Sequence, residues 1–390
     1  MDILLNKLWR INIIFCAGIA ITTIYELADI TSLLFYCSFV ITAVCMWLCL
    51  KKPVTKYTRN TLIFLIYLIL FGLISVVQGG IGFAYLKKFI IYITTLCSFY
   101  VVLKIQPNRR TVNLLLGSNV VMSILYIIRS RADGAYVQEM LWLFFSNPNF
   151  AGMWLFMSMS LLVATLFFVK KRFWQIILLA LAGQLAYLCF QTDSRNILLA
   201  IGYMVLLCVV CLISKVPQFK KWMLFAADLY PLLFALAYMY LVANDLVSEG
   251  INEALVSEGK PITSRFAIWE EAFTYIGQRP LLGAYSIVQG GSGSFQLHNT
   301  HIDMWAAYGT VGFVLFLIYI YRILKEANDS CNTKGAMVAL AGFICMTLMG
   351  SAEASLYSTG MGMYIFISSF LLLSNYLNQN RIHEDHLSIN

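Results

Sequence analysis

The chain is short of charge. Only 12% of its 390 residues are Asp, Glu, Lys or Arg, 60% are hydrophobic, and the mean hydropathy is +0.77. So few charges cannot solvate the surface of a globular domain of this length, which excludes an ordinary soluble protein. Proline is scarce too, with seven residues, and no proline-rich linker divides the chain. The four histidines fall in two pairs, His298 with His301 and His383 with His386, and no HExxH pattern occurs. Without that pattern or nearby cysteines, no metal site is expected at His298, His301 and Asp303. There are ten cysteines, mostly inside apolar runs. Cys208 and Cys211 have CxxC spacing without companion ligands and read as small apolar filler. The glycine runs at 79–82 and 290–293 follow no strand, so no nucleotide-binding loop is implied.

What the chain does have is a succession of hydrophobic runs. A membrane-spanning helix needs about 20 apolar residues. Twelve such runs are predicted, at roughly 10–29, 31–50, 61–78, 83–103, 111–129, 149–169, 173–191, 195–213, 222–243, 302–321, 335–352 and 359–378. The expected fold is all-α and polytopic, with about 12 transmembrane helices and one long outer loop. Three regions follow: spans one to nine in 1–243, the outer loop in 244–301, and the last three spans with a short tail in 302–390. The first run lacks a small-residue cleavage site and another follows at once, so it reads as a retained helix.

With the N-terminus cytoplasmic, 19 of the 27 basic residues fall on inner segments, the bias that orients membrane proteins. Both termini are then cytoplasmic. The net charge of +8 reports this orientation, and no nucleic acid is implied. Eight basic residues lie outside, against the bias: Lys87, Lys88, Arg129, Arg131, Arg195, Lys260, Arg265 and Arg279. Arg195 and the Lys87/Lys88 pair stand at or just inside span ends, where a bound anion would stabilise them.

The loops are short except for 244–301. Its first part is acidic and repeats LVSEG at 246–250 and 255–259. From Ser264 onward, Phe266, Trp269, Phe273 and Ile276 recur at helical spacing with Glu270 and Glu271 off that face. This predicts an amphipathic helix that lies on the membrane or caps the bundle, ended by Gln278-Arg279-Pro280. A glycine- and serine-rich stretch from Tyr285 to Phe295, read as a mobile gate, leads into Leu297-His298-Asn299-Thr300-His301-Ile302-Asp303.

Each conspicuous residue has two readings. Arg195 is a snorkelling charge paired with Asp193, or a planar fork matched to phosphate oxygens. Arg265 is an interfacial charge, or an anion ligand at a helix start. His298 caps the helix that follows, or accepts a proton from a hydroxyl. Asp303 compensates a helix dipole or orients His298. One of Lys87 and Lys88 snorkels outward while the other faces a cavity. Asp228, near Pro231, is a polar contact at a kink or a proton relay. Gly309 and Gly312 read as close-packing positions for a neighbouring helix. Asn147-Pro148-Asn149 reads as the turn that starts span six.

The order of these pieces resembles the superfamily of O-antigen ligases and Wzy-type polysaccharide polymerases. The motifs are Asn147-Pro148-Asn149, then Ser194-Arg195, then Arg265 and Trp269 ahead of Arg279-Pro280-Leu281-Leu282-Gly283, then His298-Asn299 with Gly309 and Gly312 beyond. The resemblance covers roughly 145–320. It implies a GT-C-like membrane glycosyltransferase at the outer face of a bacterial plasma membrane, needing no metal or cofactor. The implied donor is a glycan on undecaprenyl pyrophosphate, and the implied acceptor a glycan or a lipid-linked glycan. A flippase and a chain-length regulator are expected partners beside the bilayer. Arg195, Arg265 and His298 then correspond to the family's essential residues; Asn299 and Trp269 stand in its motifs as substrate-binding candidates. Lys87, Lys88, His301 and Asp303 gain nothing from the resemblance, and Lys87, Lys88 and Asp303 stay substrate-binding candidates on position alone. Polymerisation of O-antigen or capsular repeat units is favoured over ligation to lipid A-core, polymerases being the more varied group. A 12-span sugar or lipid transporter is the alternative of a different class. Against it, the long loop is not central and the polar groups gather at one rim.

Overall fold

The structure, a computed structural model, describes residues 1–25, 27–52, 56–78, 83–132, 134–137, 140–141, 143, 148–244, 265–283, 297–351 and 363–387. These hold α1 (Asp2–Ile24), α2 (Ala28–Leu50), α3 (Lys56–Gln78), α4 (Phe83–Lys104), α5 (Arg109–Arg129), α6 (Pro148–Thr165) and α7 (Arg172–Gln191). After them come α8 (Arg195–Ile213), α9 (Lys221–Ala243), α10 (Phe266–Gln278), α11 (Thr300–Asp329), α12 (Lys334–Met349) and α13 (Met363–Leu387). A two-residue antiparallel ladder, β1 (Tyr136–Val137) with β2 (Met140–Leu141), is the only strand pairing among the described residues.

The chain is therefore an all-α polytopic membrane protein, and a helix occupies each of the twelve expected spans. Nine of the helices among the described residues are long and apolar enough to cross a membrane, while 89–104 of α4 and 334–349 of α12 are shorter apolar helices. In hydrocarbon every backbone polar group must be satisfied within the chain, which a helix does by itself. α6 and α12 are buried nearly all round and form the middle of the bundle. On α2, α7 and α8, by contrast, Trp47, Ile176 and Leu206 face outward. That apolar perimeter is what a bilayer requires and water would penalise.

One end of the bundle gathers the basic segments. Lys52 pairs with Asp2 and donates to the Lys104 carbonyl at 2.7 Å. Asn6 donates to the Gln106 carbonyl at 2.9 Å, and Asn375 of α13 to that of Ile105 at 2.7 Å. Lys334 donates to the Leu212 carbonyl at 2.5 Å. The starts of α1 and α12, the end of α8 and the later turns of α13 thus share this basic end. Arg195 opens α8 at the opposite one.

The amphipathic helix forms as expected, as α10. Trp269, Ala272 and Ile276 are buried while Glu270 is exposed. It caps the bundle by packing on α9 and α11: the rings of Tyr238 and Trp269 lie 5.1 Å apart, those of Phe273 and Trp305 5.8 Å. Glu271 accepts from the Tyr275 hydroxyl at 3.0 Å, which holds that phenol above its ordinary range.

α11 departs from expectation. The predicted span 302–321 is not a straight rod. Gly309 has φ 69° and ψ 179°, outside helical geometry, and the helix turns back on itself there. In a straight helix His301 and Phe316 would be roughly 22 Å apart at about 1.5 Å per residue. Their ring centroids are 5.6 Å apart, and Trp305 stacks on Phe313 at 5.2 Å. Residues 300–308 therefore run antiparallel to 310–329. The latter stretch alone is about 30 Å long, the thickness of a hydrocarbon core. Gly309 and Gly312 are accordingly not helix–helix packing positions. A Cβ on Gly309 would meet the backbone of Leu281 and Gly283, and one on Gly312 would meet Tyr308 of its own helix.

Candidate active site

The short arm 300–308 carries the polar cluster, and its start is held entirely by hydrogen bonds. Asn299 caps it: Oδ1 accepts from the amides of His301 at 2.9 Å and Ile302 at 3.0 Å. Its Nδ2 donates to the carbonyls of Pro231 at 2.8 Å and Ser351 at 2.9 Å. All four bonds available to an Asn side chain are made, in full burial. The Thr300 amide donates to the Gly350 carbonyl at 2.8 Å. His301 Nε2 lies 2.6 Å from the carbonyl of Asp228. A carbonyl only accepts, so Nε2 carries the hydrogen. Pro231, inside α9, has no amide hydrogen for the helix ladder, and this turn meets the arm. Asp303 accepts from the Tyr92 hydroxyl of α4, and Ser75 of α3 donates to the Ala307 carbonyl.

His298 stands just ahead of this saturated cap. It is half-buried, and its φ of 49° puts it in the left-handed region. Non-glycine residues seldom adopt that region, and the strain gathers at functional sites. Asp193, two residues before Arg195, has the same φ of 49°. Trp269 is buried, and its indole N–H donates to the Leu297 carbonyl at 2.6 Å, fixing the residue before His298.

The last turn of α12 joins these pieces. Asn196, next to Arg195, donates to the Met349 carbonyl at 3.2 Å. The next two carbonyls, of Gly350 and Ser351, receive Thr300 and Asn299. Three consecutive carbonyls thus hold the start of α8 and the start of the short arm at one level. Arg195 is exposed there. Arg265 opens α10 beside Tyr238 of α9, and is half-buried.

The Arg279–Gly283 segment has a structural task. Its Pro280 and Leu281 carbonyls accept from the amides of Thr310 at 2.7 Å and Val311 at 3.4 Å, capping the long arm of α11. Gly283, at φ 59°, lies against the backbone of Ala306, Ala307 and Gly309, where a Cβ would collide.

Residues 180–317 match the Wzy_C family model, described as O-antigen ligase. That segment is similar to the O-antigen ligase family. It begins within α7 and ends in the long arm of α11, so Arg195, Arg265, His298 and Gly309 all fall inside it, and Lys87 and Lys88 outside. No curated protein matches the sequence. The chain is a multi-pass membrane protein, and the match over this segment suggests a ligase- or polymerase-like membrane enzyme.

Of the residues singled out in the sequence, the structure brings His298, Asn299, Trp269 and Asp303 together around the short arm. Arg195 joins them through α12, and Arg265 through α9 and α10. Lys87 and Lys88 lie in the second turn of α4, their side chains outside the described residues. The gate at 285–295, the LVSEG echoes and Asn147 also lie outside them, and α6 begins at Pro148. Among the described residues no three His, Cys, Asp or Glu side chains are grouped as a metal would need. Sequence reading missed Asn196, Tyr92 and the carbonyl run 349–351. Only the Asn next to Arg195 gave any signal.

Proposed function

We propose that the protein polymerises oligosaccharide repeat units carried on undecaprenyl pyrophosphate, at the outer face of a bacterial plasma membrane. An acceptor hydroxyl attacks the anomeric carbon of the donor glycan, and the bond from that carbon to the pyrophosphate oxygen breaks. The oxygen keeps the electron pair, and the lipid pyrophosphate leaves. Arg195 and Arg265 bind the pyrophosphate and stabilise the charge that grows on it. His298 takes the proton from the attacking hydroxyl. Lys87 and Lys88 add positive charge to the donor's path. Asn299, Trp269 and Asp303, all buried and hydrogen-bonded, act as positioning residues for His298. No metal or cofactor takes part, and a flippase and a chain-length regulator work beside the enzyme.

The observation that carries this reading is the convergence of Arg195 and His298. Both follow or occupy left-handed backbone, and three consecutive carbonyls at the end of α12 hold their neighbours. An exposed guanidinium and a half-buried imidazole there match an anionic leaving group and a hydroxyl nucleophile.

The test is incubation of purified protein with lipid-linked repeat units, with and without a lipid A-core acceptor, followed by sizing of the glycans. Ladders from repeat units alone are expected. Product only when the core acceptor is added replaces polymerase by ligase, and no covalent product from intact protein in either arm removes the enzyme reading. Alanine at Arg195 should lower turnover by about 10²–10³-fold without changing membrane insertion. Full activity would remove Arg195 from the site.

A further inference from the structure

A cleft of about 850 Å³ lies between α3, α9 and α11, running from the basic end toward the middle of the bundle. Phe225, Leu229, Val314, Leu317 and Ile318 line its depth. Asn60, Arg322 and Lys325 stand at its mouth, and Asp228 lies further in. Along α11, Arg322 and Val314 are separated by about 12 Å of helix rise. The cleft is thus cationic at one end and apolar along its length.

Two of its polar atoms lack a hydrogen-bond partner. Asp228 is 1% exposed, yet its Oδ1 meets no donor, and the buried Nε of Arg322 meets no acceptor. The arginine's guanidinium carbon lies 5.4 Å over the ring of Phe64. Buried polar atoms left unpaired are costly, and a native fold usually supplies them with a ligand or water. Two acids stand near the mouth but do not line it. Asp329 pairs with Lys325, while Glu326 bonds Thr61 and faces Lys104 as well as Arg322. None of these side chains takes part in the proposed glycosyl transfer, although the Asp228 main chain meets His301 of the short arm.

We propose that this cleft binds an anionic phospholipid. Its phosphate sits between Arg322, Lys325 and Asn60, and its acyl chain runs along the apolar wall toward Val314. Its glycerol ester lies beside the buried side chain of Asp228. Basic pockets between membrane helices recognise such headgroups by charge, and the acyl chain adds apolar burial. A zwitterionic lipid offsets its own phosphate charge and so gains less from Arg322 and Lys325 than an anionic one.

Native mass spectrometry of the full chain, released from detergent with phosphatidylglycerol, phosphatidylcholine or free glycerol phosphate, tests the site. Phosphatidylglycerol adducts should persist at collision energies that strip phosphatidylcholine, and glycerol phosphate should not be retained. The pair Arg322→Gln and Lys325→Gln should lower phosphatidylglycerol occupancy at least tenfold; Lys220→Gln with Lys221→Gln, at the same end but off the cleft, should not. Asp228→Asn keeps a polar side chain and should keep the lipid, whereas Asp228→Val should weaken retention. Equal retention of phosphatidylcholine, retention of free glycerol phosphate, or unchanged occupancy in the Arg322/Lys325 pair would overturn the proposal. Should that pair fail to elute as a single species, the unaltered protein decides. Its melting temperature must rise with added phosphatidylglycerol and not with phosphatidylcholine.

Discussion

The two ends of the short arm 300–308 are fastened by opposite means. At its start side chains do the work: Asn299 makes four hydrogen bonds, His301 reaches the Asp228 carbonyl, and three carbonyls from the end of α12 receive one backbone amide and two side-chain amides. At its far end the missing side chains do it: Gly283 and Gly309 let backbone lie directly on backbone, both in left-handed conformations. The polar end is a set of bonds that can be lost one at a time. The glycine end is a single steric condition that is met or not met.

Substitution at the glycine end should have the largest effect. Gly309→Ala meets the Leu281 and Gly283 backbone and adds a left-handed penalty of about 1–2 kcal/mol. It should abolish monodisperse protein in detergent chromatography. A stable, active variant would show that the turn tolerates a side chain and that the contrast between the ends is false. Next comes His298→Ala, which leaves both fastenings intact. Turnover in the repeat-unit assay should fall about 10²–10⁴-fold while the melting temperature stays within error; a drop in stability instead would make His298 one more strut of the polar end.

Asn299→Ala should do the reverse. It removes the cap, about 1 kcal/mol, and strands two buried carbonyls at about 1–3 kcal/mol each, so a marked fall in melting temperature is expected. Asn299→Asp keeps the acceptor and loses the two donations, and should melt between the parent and the alanine variant. An aspartate indistinguishable from alanine would mean the cap contributes nothing. The smallest effect belongs to Trp269→Phe, which keeps the buried ring against Tyr238 but loses the bond to the Leu297 carbonyl, about 1 kcal/mol. Turnover should fall several-fold with little change in the substrate concentration at half-saturation, because only the placement of His298 is disturbed.

The twelve spans and α10 were legible because hydropathy and a 3.6-residue period are local properties. His298, Arg195 and Arg265 stood out because charge and polarity are expensive beside hydrocarbon. The fold-back of α11 was hidden because a lone glycine in an apolar helical run ordinarily marks close packing. A length argument could have exposed it. From the Asn299 cap to Asp329 the helical residues would span about 45 Å if straight, well beyond a bilayer core. The carbonyl run 349–351 carried no signal at all, since backbone acceptors are present at every residue and only the tertiary fold decides which are used.

The turn at Gly309 also bears on a competing reaction. Because the arm runs back toward the middle of the bundle, the residues beside His298 sit roughly 12 Å below Thr310. His298 is half-buried at that depth, which limits the number of water molecules that reach it. In glycosyl transfer, water is the rival nucleophile, more abundant than any sugar hydroxyl and able to waste each activated donor. In the proposed reaction, with His298 as the base, the hairpin that sets this depth would favour the acceptor's hydroxyl over water.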